Sequence, residues 1–141
     1  MGNKIKVPKL VLIESPFRGE SHDTTRNNLL YARLCVRDSV LRGEAPYASH
    51  LFYTQTGILD DKIEEERMQG IDAGLAWGAN AILSAFYIDM GISRGMEYGM
   101  KNAEKAGRPI EERSLGKPKE VKSMIEEMAK KKPFIDTGIL F

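Results

Sequence analysis

The chain is poor in the residues that mark several functional classes. A single cysteine, Cys35, cannot form an intrachain disulfide, and a lone thiol suits a reducing cytosol. It falls inside a helical pattern, which makes it a buried, inert thiol rather than a nucleophile. Only two histidines occur, His22 and His50, and neither has a companion at metal-ligand spacing, so no metal site is expected. Charge of one sign is not in excess: 21 basic residues face 20 acidic ones, for a net charge of +1. That balance gives no footprint for nucleic acid and no basic arm for a membrane. The apolar run from Leu10 to Ile13 is far too short for a signal peptide or a membrane span. The cytoplasm is the expected location.

What the sequence does hold is alternation. At 141 residues there is material for one domain with its own hydrophobic core. Residues 7–14 predict a strand whose apolar run is continuous rather than alternating, as in a strand covered on both faces. Asp23 or Thr24 is the expected cap of a helix to Leu41, with Leu29, Leu30, Ala32, Val36 and Val40 mostly inward and Gly43 ending it. Residues 45–51 predict a weaker second strand, followed by a long loop over 52–59. Asp60 or Asp61 is expected to open the next helix, with Glu64 completing a capping box. Gly70, Gly74 and Gly78 recur along that helix, which suggests that another backbone packs unusually close; simple helix-on-sheet packing stands ahead of a direct ligand role. Residues 81–87 predict a third strand. Ser93 then caps a helix ended by Gly107, residues 109–113 form a short strand, and Pro118 starts a last amphipathic helix.

This order predicts an α/β fold: a three-layer, flavodoxin-like parallel sheet of four or five strands with helices on both faces. Residues 1–116 form the α/β domain. Residues 117–141 supply a C-terminal helix and an apolar tail, either part of the same domain or an oligomer contact. The tail, 134–141, is expected to return as a strand or dock on another subunit.

Ligands of such sheets bind beyond the carboxyl ends of the strands. Three loops therefore carry the functional expectation. Ser15-Pro16-Phe17-Arg18-Gly19 leaves the first strand with a hydroxyl, a guanidinium fork and a glycine, without the glycine spacing of a Walker or dinucleotide loop. The second loop offers His50 and Tyr53 among polar and aromatic neighbours able to stack on a base and read its edge. His50 reads equally well as a hydrogen-bonded histidine at a strand end. The third, Asp89-Met90-Gly91-Ile92-Ser93-Arg94-Gly95-Met96, places a carboxylate, glycines and a serine at a helix N-terminus, where free N–H groups favour an anion or a sugar hydroxyl. Asp89 reads either as a group binding a ribose hydroxyl or as a loop carboxylate held by neighbouring N–H groups.

With these stretches, together with Asn28 to Arg33, Ala48 to Leu51 and Glu65 to Arg67 with Gly70-Ile71, the chain resembles the nucleoside 2-deoxyribosyltransferase-like superfamily. It looks most like a small branch common in phage and prophage genomes. The resemblance implies oligomerisation, a nucleoside or nucleotide pocket without a cofactor, and, in a phage, location in the host cytoplasm. Active members of that superfamily cleave or transfer at the N-glycosidic bond with a glutamate nucleophile, assisted by an acid for which Asp89 is the nearest candidate. Relatives with Ser-x-Gly-Met place the glutamate three residues past the methionine, which from Met96 is Gly99. The older pattern, Gly-x-Glu-x-Gly, selects Glu97. Side chains two apart on a helix differ by roughly 200°, so Glu97 cannot replace one at position 99. Glu97 could equally pair with Lys101 at the surface. Two functions follow: an N-glycosidase or deoxyribosyltransferase using Glu97 and Asp89, with Ser15, Arg18 and Ser93 holding phosphate or sugar and Pro16, Phe17, Gly19, His50, Tyr53, Gly91, Gly95 and Met96 also at the ligand, or a non-catalytic sponge for an ADP-ribose-derived or cyclic nucleotide signal.

Overall fold

The computed structural model describes residues 6–131, so the tail expected to form a strand or a subunit contact lies outside them. Four strands, β1 (Leu10–Glu14), β2 (Ala45–Tyr47), β3 (Leu83–Tyr87) and β4 (Ile110–Arg113), pair in parallel in the order β2-β1-β3-β4. The helices are α1 (His22–Leu41), α2 (Ser49–Phe52), α3 (Glu64–Gly78), α4 (Arg94–Ala106) and α5 (Pro118–Lys130). The fold is thus flavodoxin-like α/β.

The pleat divides the sheet into two faces. Val11, Ile13, Ala85 and Tyr87 point to one core with Leu30, Tyr31 and Cys35 of α1 and Val121 and Ile125 of α5. Leu12, Glu14 and Ser84 point to the other face, towards α3, α4 and the segment after α4. The C-terminal helix therefore shares the core of the strands. No helix among the described residues is long and apolar enough to cross a membrane.

Several elements differ from expectation, each for a local reason. The cap of α1 is Ser21, whose hydroxyl accepts from the Thr24 amide at 3.1 Å. Asp23 falls instead in the first turn, where its charge suits the helix dipole. Val40 is exposed, because Tyr31, Cys35 and Ser39 form the inward stripe further along α1. The second strand stops at Tyr47: β2 is an edge strand paired only with β1, and its register ends at Leu12↔Tyr47. The chain then turns into α2, so His50 sits on a short helix and not at a strand end. Neither Asp60 nor Asp61 caps α3. Its N-cap is Ile63, with no side-chain bond, while Asp60 accepts from the Lys62 amide at 3.0 Å. By contrast, Ser93 caps α4, and Gly107 ends it at φ +68, a conformation that glycine adopts without strain.

The glycine stripe of α3 is a packing device. A methyl at Gly70 would come within 3.1 Å of Leu59; at Gly74 it would overlap Ser49 of α2, and at Gly78 the Leu12 side chain of β1. Leu12 is buried between the layers and has little room to yield. Gly78→Ala is expected to destabilise the chain by about 1–3 kcal/mol through overpacking, read from urea denaturation. Unchanged stability would show that α3 moves freely off the sheet.

Candidate functional site

In the sheet order, β1 and β3 are neighbours whose outgoing connections pass to opposite faces, β1 to α1 and β3 to α4. This is the switch point at which such sheets open a crevice. A cleft of about 120 Å³ lies there. All three expected loops contribute to it: Ser15, Phe17 and Arg18 after β1, His50 and Tyr53 after β2, and Ser93 and Gly95 at the start of α4. Beyond Arg18, Thr54 and Asp61 the surface widens into a depression of about 880 Å³, which Gly19 also lines.

The remaining sequence candidates lie elsewhere. Pro16 is buried and lines neither cavity, and Met96 is buried with its Sδ accepting from the Ser93 amide at 3.4 Å. Gly91 forms the turn after β3 at φ +87, exposed and away from the cleft lining. Asp89 is bound into the scaffold on the α1 face. It accepts from the Tyr31 hydroxyl at 2.6 Å, the Ser114 hydroxyl and the Leu115 amide at 2.9 Å. These bonds tie the β3 exit to α1 and to the segment after β4, so the loop-carboxylate reading of Asp89 fits its position. Glu97 is exposed on α4 and does not line the cleft. Neither of the two acids expected to act together lines the cleft.

A different carboxyl group is in the cleft. Glu14, the last residue of β1, points to the α3/α4 face, and a methyl at Gly99 would fall within 2.7 Å of its carboxyl carbon. Gly99 leaves a hole on α4 that the side chain of a neighbouring strand fills. The space beside Gly99 of α4 is thus occupied by a carboxyl group that comes from β1. The signal in the sequence was a carboxylate closing an apolar strand.

Burial is the main influence on Glu14, pushing its carboxyl up to about 8, with the Arg108 charge acting in the opposite direction. Beside it in the sequence, the Ser15 hydroxyl meets His50 Nε2 at 2.7 Å. Burial pushes His50 down to about 4, so the imidazole is neutral near pH 7. The two electrostatic shifts have one cause, a floor shielded from water.

At the mouth, Arg18 Nε donates to Asp61 Oδ2 at 3.0 Å and its Nη2 donates to the Asp61 carbonyl. Arg67 stands 3.8 Å from Asp61 and 4.0 Å from Glu64. Glu66, Arg67, Ile71 and Tyr98, which the sequence did not mark as ligand-binding, join Thr54 and Asp61 to complete an amphipathic lining. Among the described residues no cluster of three or more His, Cys, Asp or Glu is arranged to hold a metal ion.

The raised Glu14 value makes stability pH-dependent. Below pH 4.5 the group is protonated in folded and unfolded chains alike. Between 4.5 and about 8 the folded chain retains a proton that the unfolded chain releases, so the stability linked to Glu14 is lost as pH rises through 8. Glu14→Gln should therefore gain a few kcal/mol on the natural chain between about pH 5 and pH 9. Melting curves of both proteins across that range check this, and parallel curves would refute the shielded carboxyl. The stability linked to neutral His50 is lost as pH falls through 6.5 towards 4, equally in both proteins.

A family model described as a domain of unknown function, DUF7768, matches residues 9–113. No curated protein and no solved structure matches the chain.

Proposed function

We propose, for a chain that belongs to the DUF7768 family of domains of unknown function, that the β1/β3 cleft binds a nucleoside-like ligand and that Glu14 acts at its glycosidic carbon. The observation that carries this reading is the Glu14 carboxyl group, enclosed in the cleft and packed into the space that Gly99 leaves. The lining supports the ligand class. Phe17, Tyr53 and Tyr98 offer rings for a base, and Ser15, Ser49, Thr54 and Ser93 offer hydroxyls for a sugar or a base edge. The resemblance to nucleoside 2-deoxyribosyltransferase-like proteins supports the reaction.

In this reading the ionised Glu14 carboxylate bonds to the anomeric carbon while the carbon–nitrogen bond breaks. The bonding pair leaves with the base, which takes a proton from solvent water. Water or a second base then displaces the carboxylate, and His50, neutral and hydrogen-bonded to Ser15, is available to receive a proton from the water. Because only the carboxylate attacks, the rate should rise about tenfold per pH unit below 8 and level off above it. The reading keeps the protein in the cytoplasm. It also includes self-association, for which exposed Trp77 and Ile82 supply apolar surface.

Chromatography of the purified protein incubated with ribo- and deoxyribonucleosides tests it. Free base, formed with that pH dependence, is the expected result. Ligand bound but recovered intact would favour the sequestering alternative, and a nucleoside that neither binds nor breaks down would overturn the proposal.

A further inference from the structure

The cleft's cations are already committed. Arg18 gives Asp61 two hydrogen bonds, one to the carboxylate and one to the backbone carbonyl, and Arg67 lies beside the same carboxylate and Glu64. Glu66, also in the lining, accepts from the Asp60 amide at 3.0 Å. In the lining two guanidinium groups therefore face two carboxylates, Asp61 and Glu66, besides Glu14. His50, the remaining basic side chain there, is uncharged at neutral pH. A phosphate dianion entering this cleft would lose its water without meeting an uncompensated positive group, and desolvating an unpaired charge is expensive. The start of α4 offers at most about half a charge, and Ser93 already caps the Met96 amide there.

We infer that Asp61 sets the ligand class: by holding Arg18 and Arg67 it excludes phosphate, so the cleft selects an uncharged nucleoside over the corresponding nucleotide. This rests on the nucleoside reading above and narrows it. It also assigns Arg18 a different task from phosphate binding, that of bracing the mouth between the β1 exit and the segment before α3.

Calorimetric titration of the intact protein with nucleosides and with their 5′-monophosphates tests the inference. The nucleoside that binds is expected to bind at least about tenfold more tightly than its monophosphate. Asp61→Asn, which removes the carboxylate charge that both arginines face, should shrink or reverse that preference while circular dichroism stays unchanged. A monophosphate that binds the natural protein as tightly as the nucleoside would overturn this inference and leave the nucleoside-like cleft standing. A preference unchanged in Asp61→Asn would equally overturn the role given to Asp61. Failure of both ligand classes to bind would remove the underlying reading, and the inference with it.

Discussion

Glu14→Gln is expected to lower release of free base by about a thousandfold or more, with the protein still folded and more stable at alkaline pH. The amide keeps the shape of the side chain in the space beside Gly99 but cannot form the covalent bond. Glu97→Gln, on the exposed flank of α4, should leave turnover within about twofold of the natural protein. The pair decides between two carboxylates that sequence patterns alone cannot rank. A stronger form of the test moves the group. In Glu14→Ala with Gly99→Glu the strand side chain is shortened and the helix supplies the acid from the other side of the same space. Partial recovery relative to Glu14→Ala is the expected outcome. A large loss in Glu97→Gln, with Glu14→Gln active, would return the chemistry to α4. Base release measured by chromatography, with melting temperatures recorded in parallel, separates loss of function from loss of fold.

The largest stability effect is expected on the opposite face, at Arg113. Its side chain is buried at the end of β4, bonded twice to Glu44 at 2.8 Å and once to Glu111 at 2.8 Å. Nη1 also reaches the Tyr87 hydroxyl at 3.2 Å, and that hydroxyl donates to Asp38 at 2.7 Å. Glu44 in turn accepts from Ser39, so one guanidinium joins β4, β3, α1 and the approach to β2. The arginine holds the Glu44 carboxyl below its ordinary value, which is the mark of a pair that favours the charged form. Arg113→Met fills much of the volume but leaves Glu44 without its partner, at an expected cost of about 3–5 kcal/mol. In a domain of this size that is a fall in Tm of roughly 10–20 °C. Arg113→Met with Glu44→Gln should lose clearly less than the sum of the single variants, because the unpaired charge is gone. Additive losses in urea denaturation would contradict the network.

What the sequence disclosed follows how local each cause is. A continuous apolar run marked β1, since burial on both faces leaves no alternation to misread. The Ser93 cap and the Gly107 terminator are fixed by neighbouring backbone, so they were legible too. Helix-on-sheet packing holds at Gly78 of the α3 stripe, against Leu12 of β1, but the groups that meet the three glycines are side chains, of Leu59, Ser49 and Leu12, and not another backbone. The second strand was overextended because its length is set by the edge of the sheet, not by β-propensity at residues 48–51. Asp60 and Asp61 had the right composition for a helix cap, but Arg18, 43 residues away, engages Asp61. At the site, the three converging loops were legible from topology. The acid was not: Glu14 was read as the end of a strand, and only the hole at Gly99 and the shielding of the cleft give it a chemical character.

The account stands on the three strand exits forming one ligand cleft. Amide chemical-shift mapping during titration with a nucleoside tests this most directly. The account predicts shifts concentrated at residues 14–18, 49–54 and 93–99. Shifts centred instead on Asp89, Ser114 and Leu115, or no shifts at saturating nucleoside, would contradict it.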